Sequence, residues 1–162
     1  MLNVKISDIE FKNPILTASG TFGYGDEVKT LTDLSTLGGI VTKSVTLNPR
    51  EGNPPPRIFE TESGMLHSIG LANVGIDVYC EEKLPFLNNL DSKIIINIAG
   101  SSLNEYIEVL EKLEASNGVH IGYEINISCP NVKKGGMAFG VDCAMTEKLT
   151  AELRSRTDKL LI

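Results

Sequence analysis

Residues 126–136 concentrate the side chains of this chain that can do chemistry. They read Asn-Ile-Ser-Cys-Pro-Asn-Val-Lys-Lys-Gly-Gly, so the thiol of Cys129 lies between the amides of Asn126 and Asn131. The segment begins where an apolar run ends, and it continues into a loop with two lysines and a glycine pair. A thiol becomes reactive once its pKa, about 8.5 in a free cysteine, is lowered enough for thiolate to be present. The pattern indicates an active site built around Cys129.

The composition favours a soluble, cytoplasmic protein. The 162 residues are 41% hydrophobic and 22% charged, which is typical of one globular domain. The net charge is -6 and the basic residues form no stripe, so we expect a small molecule or another protein as partner and no nucleic acid. No apolar run approaches the roughly 20 residues of a membrane span, and the N-terminus lacks the pattern of a signal peptide.

The cysteines are predicted to be free thiols. Cys80, Cys129 and Cys143 are odd in number, and their spacing fits neither a disulfide framework nor a zinc site, so no metal is expected. Cys80 and Cys143 fall in or near helix-like stretches, where a small buried residue is the expected role. His120, at the start of a strand-like run, is likewise expected to be structural.

A βα repeat organises the chain. Four times an apolar, β-branched run is followed by a turn and a helix-like stretch. The runs are residues 14–20, 39–45, 93–100 and 120–128, and the helical stretches that follow them are residues 26–37, 75–90, 103–116 and 145–158. Such units give an α/β fold with parallel strands buried on both faces, either a doubly wound sheet or a (β/α)8 barrel.

The length favours half of a barrel. A closed eight-stranded barrel needs about 250 residues, and this chain reaches what looks like a fifth strand at residues 158–162. We therefore expect residues 1–162 to be a single domain, the truncated N-terminal half of a barrel, with a small hairpin at residues 4–12. The proline-rich loop at residues 48–59 is too long for a plain βα turn and is expected to serve function.

Polar residues interrupt strands that should be apolar. Strand side chains alternate between faces, which puts Asn97 opposite Ile94, Ile96 and Ile98, and groups Lys43 with Val41 and Val45. In the fourth strand the inward face carries Gly122, Glu124, Asn126 and Ser128, while Tyr123, Ile125 and Ile127 face the helices. Ser19 lies near the end of the first strand. Parallel α/β folds build their sites at this end of the strands, so the polar groups are expected to meet there.

Four segments, in order along the chain, resemble class 1 dihydroorotate dehydrogenases. They are residues 17–20 (Thr-Ala-Ser-Gly), 41–44 (Val-Thr-Lys-Ser), 64–73 (Gly-Met-Leu-His-Ser-Ile-Gly-Leu-Ala-Asn) and 126–140. The last one continues as Val-Lys-x-Gly-Gly-x-x-Phe-Gly and, with the Gly-Met-Leu opening, resembles the class 1B branch. The resemblance covers the whole chain.

The resemblance implies an FMN-binding (β/α)8 TIM barrel, an oxidoreductase that converts dihydroorotate to orotate in pyrimidine (UMP) biosynthesis. It also implies a homodimer of catalytic subunits. Electrons would pass to NAD through an iron-sulfur flavoprotein subunit, which would hold FAD and an iron-sulfur cluster.

The same resemblance implies roles for individual residues. Cys129 would take a proton from C5 of dihydroorotate while hydride leaves C6 for the flavin. Lys43 and Asn126 would contact both flavin and substrate. The remaining flavin contacts would be Ser19, Ser44 and Asn97, and the remaining substrate contacts would be His67, Ser68, Ile69, Gly70, Leu71 and Asn131.

One departure leaves the substrate open. His67 stands where the family usually has asparagine, and an imidazole is bulkier than an amide and can be charged near pH 6.5. A related flavin barrel acting on another dihydropyrimidine is therefore an alternative. A further alternative is an inactive half-barrel that serves only as a binding or assembly module, and we expect the 162-residue chain alone to bind FMN poorly and turn over no substrate.

Overall fold

The computed structural model describes residues 2–128 and 139–162. It begins with an antiparallel hairpin of β1 (Val4–Ile6) and β2 (Ile9–Phe11), as the sequence predicts. Phe11 is buried against Val41 and Ile95. The hairpin therefore covers the inner side of the sheet near the strands' amino ends.

The main sheet is parallel. Its strands are β3 (Gly39–Val41), β6 (Lys93–Ile98), β7 (Gly122–Ile125) and β8 (Leu160–Leu161), and the hairpin of β4 (Ile58–Thr61) and β5 (Gly64–His67) lies in the connection between β3 and β6. The strands are hydrogen-bonded in the order β3-β6-β7-β8. Leu16 adds a parallel bridge to Gly39 on the outer side of β3. The order in space thus follows the order in sequence, as in a barrel, whereas a doubly wound sheet reverses at a switch point.

Helices cover one face of this sheet. The segment after the β4–β5 hairpin is α-helical at α1 (Ile76–Val78), π-helical at Tyr79–Lys83 and α-helical again at α2 (Leu84–Asn88). It is followed by α3 (Leu103–Glu114) and α4 (Cys143–Arg154). Ser102 accepts from the Glu105 amide and Glu105 accepts from the Ser101 amide, a capping arrangement that fixes where α3 begins. Within the described residues no helix is long and apolar enough to cross a membrane.

The predicted division of strand faces is confirmed for β6 and β7. Ile94, Ile96 and Ile98 pack into the core shared with the helices, and Tyr123 joins them. Ile95 packs on the opposite face with Phe11. The side chains of Asn97 and Glu124 lie on this inner face, where they hydrogen-bond to each other.

Two predictions about the first units are wrong. Residues 26–37 form no α-helix and contain only a 3-10 turn at Leu34–Thr36, capped by Asp33. Gly23 and Gly25 have positive φ, and the stretch is rich in threonine, serine and aspartate, which favour turns and caps over helix interiors. The first strand is likewise reduced to the single bridge at Leu16.

The end of β3 carries a bulge that changes the predicted face of Val45. Val41 pairs with Ile95 and Val45 with Ile98, so four residue steps on one strand oppose three on the other. One extra residue reverses the alternation of faces. Val45 consequently packs in the helix-facing core instead of lying with Val41.

The described cysteines are both free, as predicted, but Cys143 is exposed. It is the first residue of α4, which leaves its thiol outside the helix–sheet contact, so the buried position predicted for it is wrong. Cys80 is partly buried against the core, and burial raises the pKa of its thiol.

Candidate functional site

A cavity of about 380 Å³ opens at the carboxyl ends of the parallel strands. That volume lies in the range of small-molecule sites. Its walls come from the strand ends and from the loop after β5. The lining residues are Ser19, Gly20, Lys43, Ser44, Asn53, His67, Ser68, Ile69, Gly70, Leu71, Ala72 and Asn126. The structure therefore brings together every described residue with a predicted site role except Asn97.

Lys43 and Ser44 reach the cavity from the bulge after β3. The Lys43 amide donates to the Gly23 carbonyl at 2.8 Å, which holds the bulge against the preceding loop. Within residues 2–128 and 139–162, no carboxylate forms an ion pair with Lys43. The residue is partly buried, and an anionic or hydrogen-bond-accepting ligand would satisfy its ammonium.

Hydrogen bonds hold both the side chain and the backbone of Asn126. Its Nδ2 donates to Ser44 Oγ at 3.1 Å, and its Oδ1 accepts from the amide and hydroxyl of Ser128 at 3.3 and 3.2 Å. Tyr106 of α3 donates its hydroxyl to the Asn126 carbonyl at 2.6 Å. The side chain of Asn126 is thus held by Ser44 from the bulge after β3, and its backbone is held by Tyr106 of α3.

The loop at residues 67–73 is held by Asn73. Gly70 and Leu71 both have positive φ, a conformation that is costly for leucine. Asn73 Nδ2 donates to the Leu71 carbonyl at 2.9 Å, and its Oδ1 accepts from the amides of Thr46 and Gly75 at 3.2 and 2.9 Å. One buried side chain therefore fastens the loop to the end of the β3 bulge.

Asn53 is a site residue that sequence reasoning missed. Its Nδ2 donates to the hydroxyl of Ser68 at 2.7 Å and to the Ser68 carbonyl at 3.1 Å, and its backbone amide donates to the Ile69 carbonyl. Arg57 donates in turn to the carbonyls of Asn53 and Glu51. The signal was present in the proline-rich loop, whose length predicted a functional part without indicating which residue.

Asn97 lies deeper than the cavity wall. It is 2% exposed, and its Nδ2 donates to Glu124 on the adjacent strand. Its Oδ1 has no hydrogen-bond partner within the described part of the chain. Its role as a flavin contact stays a prediction.

Cys129 and Asn131 lie outside the described residues. The chain is anchored on either side of them. Ser128 bonds to Asn126, while Phe139 packs edge-on against Tyr106 with ring centroids 5.5 Å apart and accepts from Thr146 through its carbonyl. Ser128 and Phe139 are thus both held close to Asn126.

A second hollow of about 480 Å³ lies at the opposite end of the strands. It is lined in part by Glu10 and Lys12 of the hairpin and by Asp91 and Lys93 before and at the start of β6. Sites in parallel α/β folds form at the carboxyl ends of the strands. The smaller cavity, which gathers the predicted residues, is therefore the candidate site.

Comparison with known proteins defines the fold. A crystal structure titled as DHODH in complex with ferulenol, from Eimeria tenella, superposes with a TM-score of 0.75 at 19% identity, covering 95% of this chain and 43% of that one. The likeness places the chain among (β/α)8 barrels, of which it forms the first βα units with an N-terminal hairpin. The predicted fold class is confirmed.

The sequence comparisons identify the family. A family model described as dihydroorotate dehydrogenase matches residues 1–162, and the chain belongs to that family. It is 50% identical to a protein of Thermoanaerobacter pseudethanolicus and 51% identical to one of Geotalea daltonii, both named dihydroorotate dehydrogenase B (NAD(+)), catalytic subunit. Each match covers 99% of this chain but 53% and 52% of the relative. The chain spans about half the length of the relatives it matches.

Proposed function

We propose that the full-length protein containing this chain oxidises dihydroorotate to orotate with FMN, as the catalytic subunit of an NAD-linked enzyme. Residues 1–162 would form one domain, the N-terminal half of its barrel. The observation that carries the proposal is the cavity at the carboxyl strand ends, where Lys43, Asn126 and the loop at residues 67–71 converge. The names of the relatives support the same activity.

The described residues fit a flavin ring and a small anionic substrate. Lys43 offers an ammonium without an ion-pair partner among them, and Ser19, Ser44 and Asn126 add hydroxyl and amide groups. Ile69, Leu71 and Ala72 supply apolar surface for a flat ring. Asn97 Oδ1 is a buried acceptor without a partner in that part of the chain. A ring with both acceptor and N–H edges suits this set of groups.

The residues would divide the reaction between them. Dihydroorotate loses a proton from C5 and a hydride from C6, which leaves the C5=C6 double bond of orotate. Bound FMN would supply the acceptor for the hydride. Cys129, as thiolate, would take the C5 proton, and Lys43 would stabilise negative charge next to the ring and the substrate.

The loop after β5 would orient the substrate. Ser68, Ile69, Gly70 and Leu71 line the cavity with backbone groups held by Asn53 and Asn73, and Asn126 and Asn131 would bind substrate amide and carboxylate groups. Because Asn126 is held from Ser44 and from Tyr106, its amide is positioned before the ligand arrives.

From FMN, the electrons would pass to a partner subunit. The relatives are named as catalytic subunits of an NAD(+) enzyme. We propose a homodimer of catalytic subunits that passes electrons to NAD through an iron-sulfur flavoprotein partner holding FAD and an iron-sulfur cluster, in the cytoplasm.

Anaerobic reduction tests the proposal. The full-length protein is expected to purify with FMN and to lose its yellow colour when dihydroorotate is added without oxygen. Orotate should form in equal amount to the reduced flavin. The 162-residue chain alone serves as the comparison and is expected to bind FMN poorly. A full-length protein that binds no FMN, or whose flavin dihydroorotate leaves oxidised, would contradict the proposed function.

His67 supports a second candidate, a flavin barrel acting on another dihydropyrimidine. It lies at the end of β5, is exposed and lines the cavity in place of the family asparagine. Dihydroorotate and dihydrouracil are to be assayed side by side with the natural protein and with His67→Asn. Faster flavin reduction by dihydrouracil than by dihydroorotate in the natural protein would favour the second candidate.

A further inference from the structure

Asn97 and Glu124 form a pair on the inner face of the sheet. They are register partners on β6 and β7, and Asn97 Nδ2 donates to Glu124 Oε2. The other amide atom, Asn97 Oδ1, is buried and has no partner in residues 2–128 and 139–162. Buried polar atoms without a partner are uncommon and call for an explanation.

The carboxylate decides which way the amide points. An ionised carboxylate only accepts hydrogen bonds, so the Asn97 side chain must turn its NH₂ towards Glu124. The carbonyl oxygen then points away from Glu124. Without an acceptor at position 124, the amide could rotate and present N–H groups instead.

The pair lies next to the candidate site. Glu124 precedes Asn126 by two residues on the same face, which is about 7 Å along the strand. Asn126 lines the cavity. On the other neighbouring strand, the Val45 amide donates to the Asn97 carbonyl at 2.9 Å, directly after the bulge that carries Lys43 and Ser44. Asn97 therefore lies between the two strand ends that form the cavity wall.

We propose that Glu124 is a positioning residue, which fixes the Asn97 amide so that its carbonyl oxygen accepts from a ring N–H of the bound cofactor. The inference rests on the proposed function for the identity of that cofactor as FMN. An oxidised flavin ring carries one N–H flanked by two carbonyl groups, which suits an acceptor and disfavours a donor. Glu124 also adds a negative charge on the inner side of the site, which opposes accumulation of negative charge on the ring.

Substitutions of Glu124 in the full-length protein separate orientation from charge. Glu124→Met removes the acceptor at similar size and is expected to weaken FMN binding about tenfold or more, because Asn97 loses its fixed orientation. Glu124→Gln keeps an acceptor oxygen without the charge. It is expected to hold FMN within about threefold of the natural protein and to raise the reduction potential of the bound flavin. Glu108→Met, on the exposed face of α3, is the matched control.

A double-mutant cycle tests whether Glu124 acts through Asn97. In an Asn97→Ala background, Glu124→Met is expected to cost little further FMN affinity, because the amide that it orients is gone. Equal losses in both backgrounds would overturn the proposal. So would a Glu124→Met protein whose FMN affinity, visible spectrum and reduction potential match those of the natural protein.

If Glu124→Met does not fold, exchanging the amide and the carboxylate between positions 97 and 124 provides a second test of the proposal. Asn97→Asp alone places two carboxylates together and should lose FMN affinity. The double variant Asn97→Asp with Glu124→Gln again pairs one amide with one carboxylate and leaves an oxygen free at position 97. It should recover FMN affinity. A double variant whose FMN affinity stays as low as that of Asn97→Asp would overturn the proposal. Natural protein that binds FMN but is not reduced by dihydroorotate would contradict the proposed function alone.

Discussion

Lys43 supplies the lysine of the cavity lining. Its ammonium lines the cavity from a bulge, and no carboxylate among the described residues pairs with it. A partly buried charge without a counter-ion is costly, and a bound anion offsets that cost. A role in binding an anionic ligand is therefore the role we propose for Lys43.

Replacing Lys43 by methionine tests whether its ammonium binds an anionic ligand. The variant keeps the side-chain length and is expected to weaken binding of orotate about 10- to 100-fold in the full-length protein, since a charged hydrogen bond is lost. It should also lower the reduction potential of bound flavin. Titration of the flavin spectrum with orotate measures the affinity. Lys93→Met, at the opposite end of the neighbouring strand, is the control, and equal effects of the two substitutions would refute the assignment.

The connection between β3 and β6 forms much of the cavity. It contains the proline-rich loop, the β4–β5 hairpin and the loop at residues 67–73. Asn53 joins its two halves, and Asn73 fastens the second half to Thr46. The Thr46 hydroxyl also bonds to the Asn48 carbonyl. The connection is therefore held by side chains of its own and not by sheet pairing alone.

Asn73→Ala is expected to loosen this connection. The substitution leaves the buried amides of Thr46 and Gly75 without their acceptor, which should lower the free energy of unfolding by about 1–3 kcal/mol. Substrate affinity should fall as well, because Leu71 loses the bond that supports its positive φ. Urea unfolding and orotate titration of the full-length protein measure the two effects. Asn104→Ala, exposed on α3, should change neither, and unchanged stability in Asn73→Ala would contradict the anchoring role.

Sequence patterns predicted the elements that have strong local signals. The periodic apolar face of residues 103–116 indicates α3, and the isoleucine run indicates β6. Residues 26–37 have apolar positions of similar spacing, yet their threonines and the glycines before them favour turns. Hydrophobic spacing alone could not show this.

The candidate site was predicted more completely than the first βα unit. Polar residues at strand ends point to one edge of the sheet whatever the local geometry, so the meeting of Lys43, Ser44 and Asn126 at one cavity was predictable. The face on which Val45 lies was not predictable, because a one-residue bulge is set by pairing between strands that are distant in sequence. Asn53 and the Asn97–Glu124 bond depend on such tertiary contacts too.

A partly buried polar network joins α3, β7 and the segment before β8. Tyr123 donates to Glu114 at 2.7 Å and lies 2.7 Å from His120 Nε2, while Lys159 and Thr157 also bond to Glu114. Burial lowers the pKa of His120 to about 4, with the Lys159 charge adding to the effect. Burial alone would raise the pKa of Glu114, but hydrogen bonds from Lys159, Thr157 and Tyr123 lower it to about 2.

This network is expected to make folding sensitive to acid. Between pH 6.5 and about 4 the unfolded chain binds a proton at His120 that the folded chain does not, so stability falls as the pH falls. The expected loss by pH 4 is about 3 kcal/mol. Glu114 adds a further loss below pH 4.5, as its folded carboxylate must be protonated towards pH 2.

Two histidine variants test whether His120 causes this dependence of stability on pH. His120→Gln removes the titrating group and is expected to flatten the dependence of the unfolding free energy on pH between about 6.5 and 4.5. His67→Asn, at the exposed cavity mouth, should leave that dependence unchanged. The comparison is to be made by urea unfolding of the full-length protein across this range. An unaltered slope in His120→Gln would show that another group titrates.

We propose that dihydroorotate binds in the cavity at the carboxyl strand ends, that Cys129 takes its C5 proton, and that its C6 hydride passes to the flavin. The most direct test is anaerobic stopped-flow absorbance of flavin reduction by dihydroorotate in the full-length protein and its Cys129→Ser variant at neutral pH. The serine variant should keep its flavin and be reduced about 100-fold more slowly or worse, because a serine hydroxyl is a much weaker base than a thiolate. An unchanged rate of flavin reduction in Cys129→Ser would show that Cys129 is not the base.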